Sequence, residues 1–235
     1  MPFITLQHQA KCKAKVKAEK IQEDLEQGTV EPEILVEAAE DDSSRDLVQI
    51  SLDRDLELLK ERADIKEKIE LKRQLLPKYL PLVEMYRGKG ERYQNWPLVY
   101  CTIWALDVGQ IETALKLAKF AVEQQQKLPS FFKSADLQTF MVEGFHDWAL
   151  EQFKQNGSAS PYLDEVVQLV KTETWPVTNT IVLSKLYKVA GMFAERAGEI
   201  KAAVSWFEAA EESNPGKAGV KTRLQVLYKK IENNS

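Results

Sequence analysis

Apolar residues recur along this chain every three or four positions and nowhere alternate with polar ones long enough to make a strand, so the expected fold is all-α. Between residues 47 and 76 there is no Gly or Pro. There Leu52, Leu56, Leu59 and Ala63 form one seam, and Leu58, Ile65, Ile69 and Leu76 a second close by, which predicts one long amphipathic helix. Pro77 and Pro81 are expected to break it, with Tyr79, Leu82, Val83 and Tyr86 on a short helix before Gly88-Lys89-Gly90. Further helices are predicted over 95–106, 111–126, 134–155, 162–171, 178–197, 200–212 and 218–232, separated by Gly, Pro or Asn. Ahead of all these, Ala14, Ala18, Ile21 and Leu25 share a helical face that Gly28 ends.

Four segments are expected on this pattern: a basic helical arm (1–28), an acidic linker with one short helical turn (29–46), the long helix (47–76) and a helical domain (77–235). Ser43 or Ser44 is a candidate N-cap for the long helix. Within the last segment Gly109, Ala114 and Ala121 are echoed by Gly198, Ala203 and Ala210. Around the second copy, Tyr187, Gly191, Ala203, Phe207, Ala210 and Pro215 follow the order and spacing of a tetratricopeptide hairpin, although any closely packed helical hairpin uses small residues at such places.

Charge changes the picture at the N-terminal end. The formal net charge is −4, yet residues 1–20 carry Lys11, Lys13, Lys15, Lys17 and Lys20 against Glu19, while residues 21–46 hold ten acids against Arg45. Such a basic arm can neutralise phosphates and release counterions, giving salt-sensitive, weakly sequence-dependent DNA affinity. A solubilising tail has the same composition. The helix at 47–76 is charge-balanced, with seven acids and seven bases from Asp53 to Arg73, so its apolar stripe needs a partner, and Leu52, Leu56, Leu59, Ile65 and Ile69 are the candidate oligomerisation residues. No apolar run approaches the roughly 20 residues of a membrane span and the N-terminus lacks a signal-peptide pattern, so a cytoplasmic protein is expected.

Catalytic chemistry finds little to stand on. Two cysteines, Cys12 and Cys101, and two histidines, His8 and His146, cannot build a disulfide framework or a zinc site in one chain, and no metal or cofactor is expected. There is no Gly-x-x-x-x-Gly-Lys-Ser/Thr loop for a nucleotide and no Gly-x-Ser-x-Gly. Arg87-Gly88-Lys89-Gly90-Glu91-Arg92 offers Arg87, Lys89 and Arg92 as secondary phosphate contacts, although a glycine pair among bases is more often a turn. Asp64 with Glu70 and Lys72 is the nearest approach to a metal-dependent nuclease set, and on a charge-balanced helix these are ordinary surface neighbours.

The stretch Lys72-Arg73-Gln74-Leu75-Leu76-Pro77-Lys78-Tyr79-Leu80-Pro81 resembles the Lys-Arg-x-Leu-Leu-Pro-x-aromatic-x-Pro signature of the phage small terminase family, of the GpM type found in temperate contractile-tailed phages. Trp104-Ala105-Leu106-Asp107-Val108-Gly109 with Ala114-Leu115 is similar to that family's Trp-x-x-Asp-x-Gly-Asp-x-x-x-Ala-Leu junction, Gln110 standing where the family often has Asp. Leu186-Tyr187-Lys188 through Gly191 and Ala218-Gly219-Val220-Lys221 resemble its last hairpin and helix. The resemblance implies a non-catalytic subunit in the host cytoplasm that binds phage double-stranded DNA, assembles into a ring-like homo-oligomer and recruits or regulates a large ATPase-nuclease subunit. The family has also carried the label endonuclease subunit. A helical-repeat scaffold that binds proteins and not DNA is the alternative left open by the residues.

Overall fold

The computed structural model describes residues 32–40 and 45–233, and among them every regular element is a helix. In chain order these are α1 (Pro32–Glu40), α2 (Arg45–Glu61), α3 (Ile65–Lys89), α4 (Trp96–Asp107), α5 (Ile111–Glu123), α6 (Leu137–Lys154), α7 (Tyr162–Lys171), α8 (Thr180–Arg196), α9 (Ile200–Ser213) and α10 (Lys221–Asn233). The chain divides into two compact units, Met1–Gly109 and Gln110–Ser235.

In the first unit α3 is the organiser. Asp64 caps its start, one carboxylate oxygen accepting from the backbone N–H of Lys66 (2.6 Å) and Glu67 (3.2 Å), and Gly90 ends it in the left-handed conformation at φ 66°. Leu75, Leu76, Tyr79, Leu82, Val83 and Tyr86 form its buried stripe. The stripe meets α4, a helix so enclosed that every residue from Pro97 to Ala105 is buried. The Tyr79 ring stands edge-on to Trp104 at 5.9 Å, and Lys72 reaches Asp107 at 2.6 Å. On its other side α3 takes α2 through a buried polar quartet: Tyr79 donates to Asp55 (2.6 Å) and is 3.1 Å from the Ser51 hydroxyl, while Lys78 pairs with the same Asp55 oxygen (2.7 Å). Burial, then the Asp55 charge, push the Tyr79 phenol well above its ordinary range, so it stays a donor. α1 lies against α2 and α3 and plants Leu35, fully buried, in the core.

This differs from the sequence expectation in three ways. The segment 47–76 is two helices, because Asp64 prefers to cap the N–H groups of a new helix; the Asp64-x-x-Glu67 spacing is the signal that the even charge ladder hid. Pro77 and Pro81 lie inside α3 and do not break it. They fall one turn apart on the exposed face, so the carbonyls of Arg73 and Pro77, which proline cannot serve, are on the solvent side. A helical Pro costs about 3 kcal/mol. Six side chains buried at about 1.5–3 kcal/mol apiece outweigh two of them. Finally, part of the acidic linker is α1, a nine-residue helix begun by Pro32. The candidate caps Ser43 and Ser44 lie outside the described residues.

The second unit is built around the α8–α9 hairpin. Asn179 caps α8 on the N–H groups of Ile181 and Val182, and Gly198 makes the turn at φ 81°. The helices approach so closely that a Cβ on Gly191 would sit 2.7 Å from the Phe207 ring. Ala203, Phe207 and Ala210 are fully buried in the seam, and the Ser184 hydroxyl donates across it to the Ala210 carbonyl (2.8 Å). α10 closes one side with Leu224 and Leu227; Lys188 donates to the Ala218 carbonyl (2.9 Å) and Arg223 pairs with Glu195. α6 lines the other side, with α5 against it, α7 packed on both α6 and α8, and Trp175 buried after α7.

Candidate nucleic-acid interface

The five lysines of the arm, Lys11, Lys13, Lys15, Lys17 and Lys20, lie outside the described residues. Arg87 and Lys89 occupy the last turn of α3, and Arg92 is exposed in the loop that follows. A helix C-terminus presents carbonyl oxygens, so this glycine-punctuated stretch is no backbone cradle for phosphate; its cations complement the negative end of the helix dipole. Arg87 also grips both carboxylate oxygens of Glu84 at 3.0 Å, and Lys89 donates to the Ala39 carbonyl at 3.3 Å. The three side chains share one end of α3.

The nuclease set is likewise spread over other tasks. Asp64 caps α3, Glu70 pairs with Arg73, and Lys72 pairs with Asp107. Among the described residues no three His, Cys, Asp or Glu side chains gather at metal-binding distance. Cys101 is a buried free thiol whose ionisation burial strongly opposes. A cleft of about 490 Å³ in the second unit is lined by Ser158, Ser160, Asp164, Glu199 and Trp206. Its guanidinium, Arg196, lies between the Phe153 and Phe193 rings, 4.7 Å from each, and donates to the carbonyls of Phe153 and Gly157, which makes it a strut.

Of the five oligomerisation candidates, Leu52 and Leu59 are buried within the chain's own first unit, which removes them as contacts for another copy. Leu56 and Ile69 are half-buried. Ile65, in the first turn of α3, is 73% exposed. The sequence could not say which part of the seam α1 and α3 would cover.

One surface group escaped the sequence reading. The loop between α5 and α6 carries Lys127, Phe131, Phe132 and Lys133, with no acid from 127 to 135, and Phe131 is 70% exposed. The signal was an aromatic pair between lysines, in a stretch that helix punctuation marks only as a connector.

Residues 49–179, more than half the chain, match the phage small terminase subunit family. A probable terminase, endonuclease subunit, of Haemophilus phage HP1 (strain HP1c1) is 31% identical over 166 residues, covering 70% of this chain and 58% of that protein. The terminase, endonuclease subunit, of Escherichia phage P2 is 27% identical over 165 residues, covering 68% of this chain and 64% of that protein. The chain thus spans less than two thirds of either relative. No solved structure matches. Among the described residues no helix is long and apolar enough to cross a membrane. The two separated signature motifs meet in the α3–α4 seam, through Lys72 with Asp107 and Tyr79 with Trp104, and on the match over residues 49–179 the chain belongs to the phage small terminase subunit family.

Proposed function

We propose that this chain is the DNA-recognising subunit of a genome-packaging terminase, which binds phage double-stranded DNA at the packaging site and recruits or regulates the large ATPase-nuclease subunit. The family match over residues 49–179 carries this reading. The charge pattern supports it: Lys11, Lys13, Lys15, Lys17 and Lys20 make a cationic arm on an otherwise acidic chain, and a homo-oligomer would gather several arms into one multivalent patch. Cutting is assigned to the large subunit, since Asp64, Glu70 and Lys72 are each engaged in capping or ion pairing and do not converge. A second reading, a helical scaffold that binds proteins without touching DNA, draws on the tightly packed α8–α9 hairpin.

The experiment is an anisotropy titration of duplex DNA at several salt concentrations. Changing Lys11, Lys13, Lys15 and Lys17 together to Gln is expected to weaken binding to cognate and random duplexes alike. The log–log salt slope should flatten by roughly 3–4, one phosphate contact per lysine. An unchanged slope would exonerate the arm and turn attention to Arg87, Lys89 and Arg92. A wild type that binds no duplex would favour the scaffold.

A further inference from the structure

An exposed phenyl ring is ordinary when it is isolated on a smooth surface. Phe131 is neither isolated nor on a smooth surface. It sits with Ser130 at the tip of a turn closed by the Phe132 N–H donating to the Pro129 carbonyl (3.0 Å). The base of that turn is held from below: Pro129 is buried, and the Phe132 ring stands edge-on to Phe140 of α6, with centroids 5.1 Å apart. Phe131 in turn stacks on Phe132 at 4.8 Å with the planes 29° apart. One face of Phe131 is therefore backed by Phe132, which Phe140 supports in turn, and the Phe131 ring is 70% exposed. A ring backed in this way cannot fold away when something presses on it, so little ordering entropy is lost when it is used.

The charge around the ring says what presses on it. Lys127 stands four residues before Phe131 and Lys133 two after, both exposed, and residues 127–135 contain no carboxylate. The next acid, Asp136, spends an oxygen on the Thr139 N–H (2.7 Å) as the N-cap of α6. An apolar tip flanked along the chain by two exposed lysines suits a polyanion with an apolar interior. Duplex DNA is one, and apolar side chains inserted at base steps are an established way of kinking it.

We propose that the Pro129–Phe132 turn is a DNA wedge: Phe131 enters between two base pairs of the bound duplex, and Lys127 and Lys133 meet the phosphates beside the opened step. This rests on the reading of the chain as a DNA-binding subunit and adds a second contact, separate in sequence from the arm, that deforms the DNA as well as holding it.

The test uses the full chain and a duplex of about 30 base pairs, labelled at both ends for energy transfer and carrying 2-aminopurine at successive positions in a series, with the expected bend being a few tens of degrees. Wild-type protein should draw the ends together and raise 2-aminopurine fluorescence at one step. Phe131→Ala, on the surface and expected to melt as the wild type does, should bind about 10-fold more weakly and lose both signals. Phe131→Trp should keep both. Lys127→Gln with Lys133→Gln should lower the salt slope by about 2 and still bend the DNA at saturation. If Phe131→Ala binds and bends DNA as the wild type does, the wedge is wrong while the DNA-binding reading stands. If that variant instead changes the mass of the assembly or loses the large subunit with DNA binding intact, the turn is a protein contact and the wedge is again wrong. A wild type that binds no duplex overturns both readings together.

Discussion

At the scale of single residues, two buried groups have consequences that solution measurements can reach. His146 is buried in α6, and that burial, with a smaller push from Lys185, holds its imidazole below the ordinary histidine range against the opposing pull of Asp147 at 2.9 Å and of Glu143. A folded-state pKa below the unfolded one means that the unfolded chain binds the proton first. The stability from this group is full above pH about 6.5, the ordinary histidine value, and is lost as pH falls from there through the folded-state pKa. The urea midpoint of the wild type should thus drop between pH 7.5 and 5.5, and His146→Gln should flatten that part of the profile; parallel profiles would refute the assignment. Asp55 is the second group. Lys78→Met would leave its carboxylate with the Tyr79 hydroxyl and Ser51 nearby but no cation, a loss of about 3 kcal/mol by urea unfolding. Adding Asp55→Leu to Lys78→Met should recover much of that loss, which a simple packing defect at position 78 would not allow. Neither role could be read from the sequence, where Asp55 belongs to the charge-balanced stretch from Asp53 to Arg73 and Lys78 lies beyond it, after Pro77.

Elements were more legible than residues. From α4 onward every helix was predicted within about three residues of its ends, because Asn95, Asp136 and Asn179 caps and the Gly109 and Gly198 turns are local signals that the tertiary structure obeys. The failures cluster where a long-range contact overrode a local rule. Prolines in α3 are tolerated because α4 buries the opposite stripe, and nothing near Pro77 in sequence announces α4. The hairpin was foreseen as a close approach of small residues, and the contact between Gly191 and the Phe207 ring gives that expectation a number. Gly191→Ala should lower stability by about 1–3 kcal/mol through overpacking, visible as a fall in thermal midpoint. Combining it with Phe207→Leu should make the alanine nearly harmless relative to Phe207→Leu alone. If Gly191→Ala melts like the wild type, the seam is looser than described.

For the whole molecule, the proposed homo-oligomer requires a surface on which copies can meet. With Leu52 and Leu59 consumed internally, an interface on this side of the chain has Ile65, Ile69 and Leu56 to work with. The expected outcome of Ile65→Asp with Ile69→Asp is a drop to monomer mass in light scattering with helicity retained, and a wild type already monomeric would remove the premise. The candidate DNA contacts show the limit of reading a site from sequence: lysine clustering pointed to the arm and to Arg87, Lys89 and Arg92, but exposure of Phe131 is a property of the folded loop alone. The family match begins at residue 49 and ends at 179, so it contains the α3–α4 seam and the Phe131 turn but neither the lysine arm nor the α8–α10 hairpin and closing helix. Within the matched part, the motif residues Leu75, Leu76, Tyr79 and Trp104 face inward, and Lys72 and Asp107 face one another. The signature therefore marks side chains that hold the first unit together, so its presence reports a shared way of building that unit and leaves the choice of DNA to residues outside the seam.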